Sequence, residues 1–296
     1  MAMIYQSHVG EIASLLVAVC WTMSALLFEK AGHKVGSLSV NIIRLFIAVG
    51  FLGLTTQFTR GMFFAFDATP HNWFWLGLSG IVGFFLGDLL LFKSFTVIGS
   101  RTSQLIMSFA PMLTAMIGWV MLDEILSLKS IAGIIVSMAG IMIAVVDKEL
   151  KLNIPLKGFL FAFGGALGQA VGLILSKKGM GDYDAVAATQ IRAIFGLLGF
   201  ALLVTFLKRW QKVFKSAKDT RSMSVITLGA VFGPFVGVAL SLFAVQHTET
   251  GIASTLMALV PIFIIVPSAL MFHEKITARQ VIGAVISIAG ASIFFL

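Results

Sequence analysis

Residues 99–146 read GSRTSQLIMSFAPMLTAMIGWVMLDEILSLKSIAGIIVSMAGIMIAVV, and a second version of this stretch occupies residues 249–296. With no gap, nine positions are identical when residue 99 is aligned with residue 249. Apolar composition raises the number of chance matches, but the shared spacing of proline, glutamate and glycine indicates a duplication. The spacing is carried by Pro111 and Pro261, Glu124 and Glu274, Gly133 and Gly283, and Gly140 and Gly290.

The duplication extends into the earlier part of each half. The same offset relates two glycine pairs, and an offset of 148 (192 − 44) relates two arginines. Between the copies lies the charged stretch VDKELKLNIPLKG at residues 146–158. We therefore divide the chain into two units, residues 1–150 and 151–296. The additional pairs are Gly83 with Gly233, Gly87 with Gly237, and Arg44 with Arg192.

Composition identifies an integral membrane protein. Hydrophobic residues make up 58% of the chain, charged residues only 11%, and the mean hydropathy is +1.01. Soluble domains carry roughly 25% charged residues. Ten apolar runs approach the ~20 residues that cross a bilayer, at residues 11–28, 40–57, 74–97, 103–122, 130–146, 156–176, 185–206, 223–245, 251–272 and 278–296.

The expected fold is an all-α polytopic membrane protein with ten transmembrane helices. Five runs fall in each unit, and five is odd, so two copies joined head to tail cross the membrane in opposite directions. The sequence thus predicts two inverted five-helix repeats, an architecture common among secondary transporters. The net charge of +8 is explained by loop lysines and anionic lipid rather than by nucleic acid.

These features resemble the EamA-type branch of the drug/metabolite transporter superfamily. The resemblance rests on Trp21 in the first run, Arg44 and Arg192 opening the second and seventh, and the repeated proline, glutamate and late glycine pattern. It implies a ten-helix metabolite exporter or exchanger. It also implies a cavity lined mainly by helices 1, 3, 4, 6, 8 and 9.

Asp88 is the leading candidate for transport chemistry. An ionisable side chain at bilayer depth costs several kcal/mol unless it is paired or faces water. One interpretation is a contact with a substrate amine, or a protonation site that couples transport to protons. The other is a structural ion pair with an arginine of helix 2 or helix 4. Its repeat partner is Val238, so the duplication does not require an acid here.

Five further residues are predicted to line the substrate cavity. Trp21 is suited to stacking on a ring or cation, although it equally fills space opposite small residues. Gln104 and Gln169 either orient a substrate or bond between helices, and the hydroxyls of Ser108 and Thr255 are weaker candidates. Interfacial Lys93 and Arg101 either bind an anionic group or extend to the headgroups.

Two pairs of residues are predicted to serve conformational change. Pro111 and Pro261 each remove a backbone hydrogen bond and kink a helix, which suits cavity walls or gates. Arg44 and Arg192 fit a gate or scaffold, because inverted copies lie on opposite sides of the membrane. Glu124 and Glu274 are expected to cap the helices that follow them.

The expected function is secondary, ATP-independent transport of a small metabolite, such as an amino acid or related solute, by alternating access. A membrane-embedded enzyme acting on a lipid-linked substrate, or a passive channel, is the alternative. No cofactor, catalytic residue or metal site is expected, and proton coupling stays open. The protein is expected in the plasma (inner) membrane of a prokaryote, as a monomer or homodimer. Positive charge places both termini outside, whereas relatives are usually drawn with both inside.

Overall fold

The computed structural model describes residues 8–145, 155–267 and 276–296, and in these ranges it contains helices and no strand. Within these ranges the first unit contains six α-helices and a π-helical segment, and the second contains eight α-helices, a π-helical segment and a final 3₁₀ turn. In chain order they are α1 Val9–Val35, α2 Ser37–Arg60, α3 Pro70–Ser79, π1 Gly80–Gly87, α4 Asp88–Met107, α5 Ala110–Leu122, α6 Leu128–Val145, α7 Leu156–Met180, α8 Ala185–Phe206, α9 Trp210–Ala217, α10 Thr220–Ala230, π2 Val231–Gly237, α11 Val238–His247, α12 Thr250–Met257, α13 Val260–Phe263, α14 Ala278–Ser292 and the 3₁₀ turn Ile293–Phe295.

Eight helical stretches of the described chain are long and apolar enough to cross a membrane. Two shorter apolar helices, Ala110–Leu122 and Leu128–Ala144, coincide with the fourth and fifth apolar runs of the sequence. The all-helical, polytopic class is therefore confirmed. The stretches with spanning length are Val9–Val35, Ser37–Arg60, Pro70–Ser94, Leu156–Met180, Ala185–Phe206, Thr220–His247, Thr250–Pro267 and Ala278–Phe295.

Helix α4 does not run straight. Ser94 Oγ donates to Ser103 Oγ at 2.7 Å, whereas nine residues of straight α-helix would separate the two by about 13.5 Å. The chain therefore reverses between these serines. This reversal is the connection between the third and fourth apolar runs.

Both prolines of the duplicated stretch interrupt a helix at the same place. Helix α4 ends at Met107 and α5 resumes at Ala110, just before Pro111. In the second unit α12 ends at Met257 and α13 resumes at Val260, just before Pro261. The break follows from the missing proline N–H and from the clash of its ring with the preceding turn. These breaks are where the sequence predicts them.

Glycine contacts join the first unit to the second. A Cβ built on Gly168 would lie 2.8 Å from the Cα of Gly87, and one built on Gly172 would lie 2.8 Å from the Cα of Gly83. Only glycine permits helix backbones this close. Ser79 Oγ adds a 2.6 Å hydrogen bond to the carbonyl of Gly172. The third apolar run thus packs tightly on the sixth.

The equivalent run of the second unit, from α10 to α11, packs on α1. Gly237 faces the indole of Trp21, and Gly229 faces the ring of Phe28. Each unit therefore packs its third helix on the first helix of the other unit. The two units interlock rather than fold side by side.

Helices α6 and α14 cross at two serines. Ser137 Oγ donates to the carbonyl of Ser287, and Ser287 Oγ donates to the carbonyl of Ser137, both at 3.2 Å. The two serines are repeat partners (287 − 137 = 150), so the contact is symmetric about its centre. Because each hydroxyl donates to a backbone carbonyl of the other helix, the two polar side chains are tolerated at a fully buried position.

The two crossing helices run antiparallel. Gly133 contacts Phe294, near the end of the chain, whereas Gly140, further along α6, contacts the carbonyl of Gly283. Positions thus rise along α6 as they fall along α14. A Cβ on Gly140 would approach the Ser287 nitrogen to 2.4 Å, so these glycines are required for the contact.

Large apolar side chains cover the outside of the helices. Phe46 is 71% exposed, Phe58 87% and Phe206 84%. Such a surface is unfavourable in water and is typical of lipid-facing helices.

Candidate functional site

A cavity of about 300 Å³ lies between the two units. Its walls come from the middle of α1, the start of α2, π1 and α4, the proline breaks, and the corresponding helices of the second unit. The described residues that line it include many repeat partners. At an offset of 148 it contains Trp21 with Gln169 and Arg44 with Arg192.

Further repeat partners line the same cavity. At an offset of 150, Met107 faces it with Met257, and Asp88 with Val238. Equivalent positions of both units thus surround one space. The parts of the wall that the two units contribute differ mainly in chemistry, since Asp88 of the first unit corresponds to the apolar Val238 of the second.

Asp88 is a buried, fully bonded carboxylate. Its Oδ2 accepts a hydrogen bond from Arg44 Nη2, and its Oδ1 accepts one from Gln169 Nε2 at 3.0 Å. Only 8% of the Asp88 surface is exposed. Gln169 reaches the acid because the neighbouring Gly87 and Gly168 bring the two backbones together. The structure therefore contains the ion pair that the second interpretation of Asp88 predicts, and the partner is Arg44 of helix 2.

Arg192 occupies the position of Arg44 in the second unit, with different surroundings. It is 5% exposed and its guanidinium lies 4.9 Å from the ring centre of Phe84. Among the described residues it has no ion pair within 4.0 Å and no side-chain hydrogen bond, and its buried Nε lacks a partner. A buried cation in this state is costly, because the Phe84 ring and the more distant charge of Asp88 replace only part of the water that it has lost.

The remaining walls are mostly apolar, with isolated hydroxyls. Trp21, Leu173 and Pro234 provide apolar surface. Ser24 Oγ donates to the carbonyl of Trp21 at 3.1 Å, and Ser241 Oγ donates to that of Val238 at 2.7 Å. A cavity of this composition favours a small solute with both apolar and polar parts.

The structure brings together four of the six residues predicted for the cavity. Trp21, Asp88, Ser108 and Gln169 line it, and Pro261 of the flexing pair does so as well. Pro111 is buried beside the lining residue Ala110.

Thr255 and Lys93 are not among the described lining residues. Thr255 is fully buried and its Oγ1 donates to the carbonyl of Gly251 at 2.7 Å. Its neighbour Ser254 faces the cavity instead, because one residue turns an α-helix by about 100°. The side chains of Gln104 and Arg101 lie outside what the structure describes.

A polar cluster that the sequence did not predict joins both units at one end of the helices. Glu124 Oε2 accepts from the Thr250 backbone N–H at 2.8 Å and from its hydroxyl at 2.5 Å. Glu124 Oε1 pairs with Lys177 Nζ at 2.7 Å. The expectation that Glu124 caps the following helix is wrong: it caps α12 of the other unit, whose positive end attracts the carboxylate. Its repeat partner Glu274 lies outside the described residues.

The cluster continues to the start of α1. Lys177 Nζ also donates to the carbonyl of Thr248 at 2.8 Å, and the Thr248 hydroxyl donates to buried Glu11 at 2.9 Å. Glu11 precedes the cavity residue Trp21 by ten residues, or about 15 Å of helix. The cluster of Glu11, Glu124, Lys177, Thr248 and Thr250, called here the terminal-side cluster, therefore lies beyond the cavity at the end of the molecule where α1 begins. No sequence motif marks it, because its members come from three helices, α1, α7 and α12, and from two connections between helices.

Metal chemistry has no support in the described ranges, which contain no group of three or more His, Cys, Asp or Glu residues placed to hold a metal ion.

Comparison with known proteins agrees with this geometry. A solved crystal structure superposes with a TM-score of 0.74 over 96% of both chains at 15% identity, which shows a shared fold. A protein of Escherichia coli named "Probable amino-acid metabolite efflux pump" is 23% identical over 289 residues, 96% of this chain and 94% of its own. An uncharacterized transporter of Bacillus subtilis, YvbV, is 24% identical over 179 residues, 60% of this chain and 57% of its own.

The model of the EamA-like transporter family matches residues 8–146 and again residues 156–296. The two matches cover almost the whole chain and coincide with the two units. With bacterial relatives and multiple apolar helices, the protein is an integral plasma-membrane protein of a prokaryote. The chain belongs to the EamA-like transporter family.

Proposed function

We propose that this protein is a secondary transporter that moves a small metabolite, such as an amino acid or related solute, by alternating access. The two units act as inverted five-helix repeats in a ten-helix fold, related by a pseudo-twofold axis in the membrane plane. The function is export or exchange, and ATP plays no part. The name of the Escherichia coli relative supports amino acids or their metabolites as the substrate class.

The observation that carries the proposal is the cavity between the units, lined by repeat-equivalent residues. A site on a pseudo-twofold axis presents the same walls when the units exchange conformations, which is what alternating access requires. The antiparallel crossing of α6 and α14, where Ser137 and Ser287 exchange equal bonds, supports an axis in the membrane plane. Two antiparallel helices are related by an axis perpendicular to them.

The terminal-side cluster supports one closed state. Glu124 and Lys177 form a charged pair with side chains 11% and 25% exposed, and both also bond to the segment that contains Thr248 and Thr250. Breaking charge-assisted hydrogen bonds costs about 1.5–3 kcal/mol each. A cost of this size is enough to hold one face shut, yet small enough for substrate binding to overcome.

Cysteine accessibility tests the proposal. Cys20 is the only cysteine, so Cys20→Ser provides a cysteine-free background into which a single cysteine is placed at the cavity residue Ser254. In oriented proteoliposomes we expect a membrane-impermeant thiol reagent to label this cysteine from one face only. Glu124→Gln is expected to increase labelling from the terminal face several-fold, with Lys129→Gln, an exposed charge near the same end, as the control.

Equal labelling from both faces in every condition would contradict alternating access and favour a channel. Solute counterflow gives an independent reading, because a carrier shows trans-stimulation whereas a pore or an enzyme does not. Proton coupling through Asp88 is tested in the same vesicles. An Asp88→Asn protein that responds to a pH gradient as the wild type does would remove Asp88 from that role.

A further inference from the structure

The cavity contains an arginine that was duplicated and an acid that was not. Arg44 and Arg192 are repeat partners, and both line the cavity, but the acid that bonds to Arg44 has Val238 as its partner. Among the described lining residues two guanidinium groups therefore face one carboxylate. The cavity wall carries one positive charge in excess.

The excess charge is located at Arg192. Both oxygens of Asp88 are already bonded, one by Arg44 and the other by Gln169. Within the described part of the chain, Arg192 has the face of the Phe84 ring but no ion pair within 4.0 Å, and its Nε, like that of Arg44, lacks a hydrogen-bond partner. A ring face offsets only part of the desolvation of a buried cation. The guanidinium therefore has hydrogen-bond donors available to an anion that enters the cavity.

We propose that Arg192 binds the carboxylate of the transported solute. A guanidinium presents two parallel N–H groups at the spacing of carboxylate oxygens, and its attraction for an anion is stronger here than in water because the surroundings are apolar. The excess of one positive charge matches a solute with a single carboxylate. This inference rests on the proposed transport function and names the substrate class for it.

The rest of the cavity indicates what accompanies the carboxylate. Met107, Met257 and Trp21 line it with flexible and aromatic apolar surface. A side chain of moderate size fits there, since sulfur-containing side chains adapt to varied shapes. The solute class is a small monocarboxylate with an apolar substituent, which includes the apolar amino acids.

Matched ligands test the carboxylate. Purified protein in detergent is titrated with each apolar L-amino acid, with its carboxamide, and with the corresponding acid that lacks the amino group, and binding is followed by thermal shift. We expect the two acids to bind and the carboxamide to bind about tenfold to a hundredfold more weakly. In Arg192→Gln this difference between acid and carboxamide is expected to disappear, whereas Arg192→Lys keeps part of it.

A second variant tests the charge of Arg192 without creating a cavity in the packing. Val238→Asp places an acid at the position that corresponds to Asp88, so that Arg192 gains a partner as Arg44 has one. Residue 238 lies on α11, which packs against α8, the helix that contains Arg192. We expect this variant to remain folded, because it pairs a buried cation, and to lose affinity for the carboxylates by a similar factor. Val238→Asn, of equal size and without charge, is the matched control and is expected to keep most of the affinity.

Different outcomes separate this inference from the proposed function. If the carboxamides bind wild type as tightly as the acids, or if folded Val238→Asp binds the acids as wild type does, Arg192 is not the carboxylate site. Failure of every acid to bind wild type has the same meaning. In each of these cases the proposed transport function is still supported if the protein shows counterflow with a cationic or neutral solute. It is contradicted if no solute exchanges.

Discussion

The first unit and the second build the same cavity with unequal chemistry. In the first, Asp88 ties Arg44 and Gln169 into a bonded group that joins α2, α4 and α7. In the second, Val238 stands at the position of the acid, and Arg192 has no ion pair with any residue that the structure describes. We infer that one wall is complete before any solute arrives and that the other is completed by the solute. On this proposal, duplication supplies the shape of the cavity, and the loss of symmetry in a few side chains supplies its selectivity.

The packing of the third helix also differs between the two units. Third-helix glycines of the first unit meet glycines of α7, and those of the second unit meet Trp21 and Phe28 of α1. Glycine-to-glycine contacts hold backbones at a fixed distance, whereas contacts of glycine with a side chain leave room for rearrangement. The first pairing is suited to a rigid body, and the second to a surface that moves with the solute.

The largest expected effect comes from making the first unit like the second. Asp88→Val leaves Arg44 and Gln169 buried without their acceptor, and breaking a buried pair costs about 3–5 kcal/mol. We expect a loss of this size in the free energy of unfolding, measured by denaturant titration in mixed micelles. Val238→Thr at the equivalent position is the control, and a comparable loss there would contradict the difference between the walls.

A smaller effect is expected from exchanging the helix contacts. Gly172 and Ser24 are repeat partners (172 − 24 = 148), and a side chain at residue 172 would meet the Cα of Gly83. Gly172→Ser is expected to cost about 1–3 kcal/mol through overpacking, and Ser24→Gly only ~0.5 kcal/mol through helix propensity. Thermal unfolding of both variants measures the difference. Equal costs would mean that the two contacts are equally tight.

The smallest expected effect concerns the α6–α14 crossing, a contact in which the two units are alike. Ser137→Ala and Ser287→Ala each remove one hydrogen bond of the same length from the α6–α14 crossing, at about 1 kcal/mol. We expect the two variants to lose equal stability in the same unfolding measurement. A clearly unequal pair of values would show that the symmetry of this contact is geometric but not energetic.

The repeat made much of this fold predictable. Proline spacing located both helix breaks, and burial cost identified Asp88, since each signal is local to one helix. The terminal-side cluster was not predictable, because Glu124 bonds to Thr250, which lies 126 positions further along the chain (250 − 124 = 126), and its sequence neighbours suggest that it caps the nearer helix α6. The sequence predicts Thr255 for the cavity, whereas its neighbour Ser254 lines it, because residue type alone does not reveal which way a helix is turned.

The π-helical segments were likewise invisible in the sequence, and they bear on the history of the chain. A π turn holds an additional residue without an additional turn, so it records an insertion that the helix absorbed. Gly80–Gly87 and Val231–Gly237 hold such turns at matching positions. We infer that the insertion occurred in an ancestral protein that corresponded to one unit, before its gene was copied. A living descendant of that protein, assembled from two separate chains, would carry the same irregular turn.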